Sequence, residues 1–372
     1  MRRPSDLKGW TLALPFVVLA AACGGQGGGA GGESVLTRAD TMQDRSADAP
    51  TLQAQVSGTE VLLQAVSPVD ERVVWVSGHG GTFARTLDGG DTWTAGVVPG
   101  ADTLQFRDVH ALSADVAWLL AAGPADMSRI YRTDDGGANW TLQWTNPEPD
   151  GFYDCLDFWS AERGAVYGDA VEGNLRVLRT SDGGANWERL GPGAVPDGQL
   201  GEGGFAASGT CLVAGKDGRG WISTGNAPIG RVLTTQDYGA SWVPYDSPIP
   251  GAVGAGLFSI SFRDSLNGVI FGGDLRPEPV VAPRVAVSSD GGASWAITGE
   301  PAIGGAIFGG QWVPGTDPPV MVAVAPTGAE YSTDGGQSWE ALDSESYWGL
   351  GFASPDAGWL VGPGGRITKV GF

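Results

Sequence analysis

Histidine and lysine are nearly missing from this 372-residue chain, which has two His (His79 and His110) and three Lys. Two histidines argue against a His-based metal centre or acid–base site. The scarcity of lysine leaves a formal charge of −20, and a nucleic-acid binder needs a net basic footprint. The acidity is read instead as a contribution to solubility. Only 17% of residues are charged, while glycine (62), proline (24) and tryptophan (15) are abundant. That balance suits short strands joined by tight turns rather than long amphipathic helices, so an all-β protein is expected. No metal or cofactor is expected. GEGGFA (201–206) has the spacing G-x-G-x-x-A, but a dinucleotide fingerprint needs a strand before it and a helix after it, and neither is readable here.

There is no apolar run long enough to span a bilayer comfortably. The N-terminus nevertheless has the order of an export signal: Arg2, Arg3 and Lys8 precede an apolar stretch over residues 10–22, and Ala20, Ala21 and Ala22 lead into Cys23. The end resembles a bacterial lipobox, with Leu19 one place early. Residues 1–23 are therefore read as an export signal with Cys23 lipidated, with plain secretion as the alternative. The Gly-rich and polar residues 24–48 form a tether of roughly 25–30 Å, and residues 49–372 form the folded domain. Localisation at a bacterial envelope follows. Cys155 and Cys211 are compatible with one disulfide in an oxidising compartment or with two buried thiols.

Six stretches share the template [ST]-x-D-x-G-x-[TNS]-W: TLDGGDTW, TDDGGANW, TSDGGANW, TQDYGASW, SSDGGASW and STDGGQSW. Their central residues are Asp88, Asp135, Asp182, Asp237, Asp290 and Asp334, spaced by 47, 47, 55, 53 and 44 residues. A period in the forties with four short strands per unit is the length of a propeller blade. A seventh unit begins near Tyr347 but stops before a box or fourth strand. The apolar segment 51–56 is expected to supply that strand and close a seven-bladed ring.

On these boxes the chain resembles the Asp-box (BNR) repeat proteins, and among single-ring members the photosystem II assembly-factor type; the wider group includes sialidases and xyloglucan hydrolases. The resemblance implies fold more than activity. The box residues have a structural role: the Asp accepts hydrogen bonds from turn amides, glycine supplies positive φ, and the Trp is expected to bury a large apolar surface. Calcium binding by the box is not favoured, because the alternating carboxylates and distal Glu are missing.

In a four-stranded meander the boxes share one face with the a–b turns, so variable binding loops belong on the face of the b–c and d–a connections. The b–c loops carry Asp126, Asp169, Glu172, Asn226, Asp274 and Arg276. Five units start strand c with an arginine: Arg129, Arg176, Arg231, Arg284 and Arg366. Two readings follow: an anion-reading rim, or arginines each paired with an acid of their own b–c loop. Asp154, Asp157 and Glu202 are candidates for facing the central channel, where paired carboxylates could serve glycoside hydrolysis. The resemblance implies a monomeric, non-enzymatic scaffold for a protein or glycan partner, held at the membrane by its lipid. A sialidase-like hydrolase or lectin is the alternative, although the Arg-Ile-Pro triplet usual in sialidases is missing.

Overall fold

The computed structural model describes residues 49–276 and 283–372; the export segment, Cys23 and the tether lie outside them. Seven four-stranded antiparallel sheets stand side by side in a ring, one for each unit of the repeat. Their inner strands (a) are Leu63–Pro68, Phe106–Ala111, Tyr153–Phe158, Leu212–Ala214, Ala255–Phe262, Gly309–Trp312 and Gly349–Ser354. In blades 1 to 6 strands b, c and d follow in sequence, each paired with the one before.

Burial explains the sequence pattern of each blade. Strands b, such as Val74–Gly78, Ala117–Ala121 and Met321–Ala325, are buried along their whole length. Neighbouring blades cover both their faces, so they read as unbroken runs of apolar and small residues rather than alternating ones. The outer strands, such as Glu188–Arg189 and Ala296–Ile297, are exposed and correspondingly polar or short.

Blade 7 is completed from the other end of the domain. Thr51–Val56 pairs antiparallel with Arg366–Gly371, from Thr51 opposite Gly371 to Val56 opposite Arg366. The first and last segments therefore share one sheet, which removes two edges that would otherwise be open to another chain.

Each box closes a c–d turn by a small hydrogen-bond network. In the first, Thr92 donates to Asp88 through its amide (2.9 Å) and hydroxyl (2.6 Å), while the Gly90 amide donates to the Thr86 hydroxyl at 2.9 Å. The Thr92 bonds hold the Asp88 carboxyl down at about 2, so it stays an acceptor at ordinary pH. The residue after the Asp is left-handed in every box: glycine in five, but Tyr238 (φ +59°) in the fourth. A side chain there costs about 1 kcal/mol; the Arg163 guanidinium 4.3 Å over the Tyr238 ring and the nearby Trp159 offset it.

The box tryptophans all pack against the hydrophobic core, as expected, but to unequal depths. Only Trp242 is buried; Trp93, Trp140, Trp187, Trp295 and Trp339 are half-buried, because the c–d turn lies at the rim where no further layer covers it. The fully buried indoles belong instead to strands b: Trp75, Trp118 and Trp359.

Candidate functional site

The connection from strand d of blade 3 to strand a of blade 4 is unusually long, 22 residues from 190 to 211. Its second half crosses the axis of the ring. Ala206 accepts a hydrogen bond from the Gln64 side chain of blade 1 (2.7 Å), Gly204 donates to Asp169 of blade 3 (3.0 Å), Ser208 donates to the Phe308 carbonyl (2.7 Å) and Thr210 to the Ser259 hydroxyl (2.7 Å). Phe205 stacks on Phe258, 3.8 Å between centroids, and Phe308 extends the aromatic pile to Trp348. Glycine is needed at Gly209, whose φ is +75° and where a Cβ would fall 2.2 Å from Asp108 Oδ1. Residues 203–210 thus plug the channel. A disulfide between Cys155 and Cys211, with Cα atoms 5.9 Å apart, ties the plug's far end to the inner strand of blade 3.

The plug moves the expected channel carboxylates out of reach. Asp154 and Glu202 are buried rather than lining an open channel. Glu202 accepts from Arg231 and from the Thr224 hydroxyl, and Asp157 pairs with His110 Nδ1 at 2.5 Å and accepts from the Ala214 amide. Burial raises Asp154 well above the usual carboxylate range and Asp169 to about 6. Among the described residues no three His, Cys, Asp or Glu side chains group so as to hold a metal ion.

The five arginines lie on the face of the b–c and d–a connections, and each is neutralised. Arg129 pairs with Asp126 of its own b–c loop (3.3 Å). The others depart from that pattern. Arg176 donates to Glu148 (2.5 Å), Arg231 to Glu202, Arg284 to Glu300 (3.0 Å) and Arg366 to Glu345 (2.5 Å), all acids on d–a connections. Arg284 also donates to the carbonyls of Pro301, Ile303 and Gly305. The acids of the b–c loops are occupied elsewhere: Asp274 by Arg276, and Asp169 by the plug. Glu172 sits at a left-handed turn position (φ +53°), where its carbonyl accepts from the Asn174 side chain. Asn226 accepts from the Gly254 amide (2.9 Å) and donates to the Gly204 carbonyl (3.3 Å). These side chains fasten connections to one another and present no converging set of free guanidinium groups.

What the same face does offer is a cleft of about 480 Å³, which the sequence did not suggest. It is lined by the apolar Ile249, Pro250, Ala252, Ala255, Ala302 and Ile303 together with the charged Arg276, Arg284 and Glu300. The surface beside it is apolar: Val253 is 83% exposed, Leu275 51% and Ile229 41%. A hydrogen bond from the Leu275 amide to the Gly254 carbonyl (2.9 Å) joins two of the segments that carry these side chains. Chemically, such a cleft can hold an apolar side chain and flank it with charge-assisted hydrogen bonds.

The BNR/Asp-box repeat model matches residues 330–341, the sixth box. No curated protein sequence matches the chain. Among solved structures, the fold is similar to "YCF48 bound to D1 peptide" (TM-score 0.59, 16% identity, 87% of this chain and 97% of that one). It is also similar to YCF48 from Cyanidioschyzon merolae (TM-score 0.57, 17% identity, 86% and 98%). A GH74 xyloglucanase from Xanthomonas campestris aligns at TM-score 0.57 and 15% identity over 86% of this chain but 53% of the enzyme. The chain is thus a seven-bladed β-propeller with the Asp-box template at six of its c–d turns, one of them matched by the BNR/Asp-box repeat model.

Proposed function

We propose that this propeller is an exported, lipid-anchored scaffold that captures an apolar segment of a protein partner in the cleft beside blade 5. The observation that carries the reading is the cleft itself, with Val253 and Leu275 exposed at its edge on the face of the variable connections. Contiguous apolar surface of this kind marks interaction sites. Arginines each tied to an acid favour a scaffold over a sialidase-like hydrolase, which needs several guanidinium groups free to converge on a carboxylate substrate. The buried state of Asp154 and Glu202 argues the same way, since glycoside hydrolysis requires two carboxyl groups open to the sugar. A peptide as the ligand class is supported by the fold relative solved with a bound peptide. Export is supported by the N-terminal charge-then-apolar pattern and by the Cys155–Cys211 bond, which suits an oxidising compartment.

The test is capture of a partner from the organism's own membranes by the full chain. Replacing Val253 and Leu275 together with Glu should abolish capture while leaving the melting temperature unchanged, since both side chains face solvent. Undiminished capture by that variant, or turnover of a glycan substrate by the wild type, would overturn the reading.

A further inference from the structure

The apolar surface beside the cleft does not end at blade 5. Leu200, in the connection from blade 3 to blade 4, is 93% exposed. The Gln199 side chain donates to the carbonyl of Ile229 (2.8 Å), another exposed side chain, at the start of strand c in blade 4. Asn226 of the same b–c loop accepts from the Gly254 amide (2.9 Å), next to Val253, and the Gly254 carbonyl accepts from the Leu275 amide (2.9 Å). Leu200, Ile229, Val253 and Leu275 are therefore carried by connections that are bonded to one another in series, forming one apolar crest across two adjacent blades.

Free carboxylates flank this crest. Glu172, Asp197 and Asp246 are exposed, and among the described residues none of the three carboxylates has a hydrogen-bond or ion-pair partner. The loops that carry Glu172 and Asp197 are joined by the Gly198 amide, which donates to the Gly173 carbonyl (2.9 Å), and by a bridge from Asn174 to Asp197. Both acids border a hollow of about 310 Å³ that is lined also by Leu190, Pro192 and Val195. Asp246 stands opposite Arg231 in blade 4, and Arg231 donates to the Asp197 carbonyl (3.0 Å). The arginines of this region do not cancel the three acids. Arg231, Arg276 and Arg284 are taken by Glu202, Asp274 and Glu300, and Arg176 and Arg189 share Glu148. One positive charge is left against three free carboxylates.

We propose, resting on the cleft reading above, that the captured segment is basic as well as apolar: its apolar side chains lie along Leu200, Ile229, Val253 and Leu275, and its lysines or arginines face Glu172, Asp197 and Asp246. A long basic side chain suits the hollow, since its aliphatic stem can pack on Leu190, Pro192 and Val195 while its charged head meets the carboxylates. Exposed charge pairs contribute little singly, but a patch of one sign steers encounter and selects a partner of the other. The same charges disfavour a lipid bilayer as the occupant. Inserting Leu200 and Val253 among headgroups would press unpaired carboxylates against a surface that is itself anionic.

Fluorescence anisotropy with the full chain and three labelled synthetic peptides tests this: one of leucine and lysine, one with every lysine replaced by glutamate, and one with every leucine replaced by serine. The leucine–lysine peptide should bind roughly tenfold more tightly than either control. Leu200→Ser should weaken it about tenfold, as should Glu172→Gln, Asp197→Asn and Asp246→Asn combined, each with an unchanged melting temperature. Added salt should weaken the wild type more than the carboxylate variant. Either control binding as tightly as the leucine–lysine peptide would overturn the proposal, and so would undiminished binding by either variant. Sedimentation with phosphatidylcholine–phosphatidylglycerol vesicles that Leu200→Ser abolishes would assign the crest to lipid and overturn it as well. Should a variant lose its fold, the three peptides against the wild type still decide. The cleft reading fails separately: Val253→Glu with Leu275→Glu leaving peptide binding unchanged would remove the cleft as the site. Loss in that variant together with full binding by the Leu200 and carboxylate variants would overturn only the extension to blades 3 and 4.

Discussion

Deleting residues 49–58 should lower the melting temperature by about 5–10 °C, although these residues contribute almost nothing to the core. Thr51–Val56 is largely solvent-exposed, so its contribution comes from pairing along Arg366–Gly371. Net contributions of roughly 0.5–1.5 kcal/mol per hydrogen bond sum to several kcal/mol over a six-residue ladder. Gln55 adds to this: it accepts from the Trp93 indole at 3.0 Å and donates to the Gly89 carbonyl at 3.3 Å, so the strand also fastens the first box. Differential scanning calorimetry of the deleted and complete forms checks this, and an unchanged melting temperature would mean that the ring closes without its N-terminal strand.

The second large effect separates the two kinds of tryptophan. Trp118→Ala should destabilise by about 3–5 kcal/mol, the usual cost of a large cavity. Trp118 is fully buried, stacks on Phe158 at 4.0 Å, and donates to both the Gln143 side chain and the Gly183 carbonyl of the next blade's box. Trp140→Ala, at the second box, should cost only ~1–2 kcal/mol. That ring is half-buried, lies against Phe83 and Trp75, and its indole N–H has no partner among the described residues. Urea denaturation of the two variants gives the comparison; equal losses would refute the burial difference.

The parts of this molecule that the sequence makes legible are those governed by local chemistry. A box is recognisable because Thr86, Asp88 and Thr92 bond one another within seven residues, and repetition of that pattern counts the blades. The missing fourth strand of the last unit points to 51–56 by simple bookkeeping of strands. The plug is different. GEGGFAASGT has no periodicity, and its partners Gln64, Ser259 and Phe308 lie 142, 49 and 100 residues away from the residues they touch. The arginine partners are obscured for a related reason. Strand c and its own b–c loop are adjacent in sequence, yet the partners come from d–a connections: Arg176 meets Glu148 and Arg284 meets Glu300. The apolar cleft has no sequence signature at all, because its walls come from three separate connections.

Site-specific photo-crosslinking tests the scaffold reading most directly. Leu275, beside the cleft, and Leu266, on the face of the box turns, are each 51% exposed, so a photoreactive residue at either has the same access to solvent. Irradiation of the full chain in a whole-cell extract of its own organism, membranes included, should give a discrete protein adduct from position 275 and none from position 266. An adduct from 266 alone, or none from either position, would contradict the account.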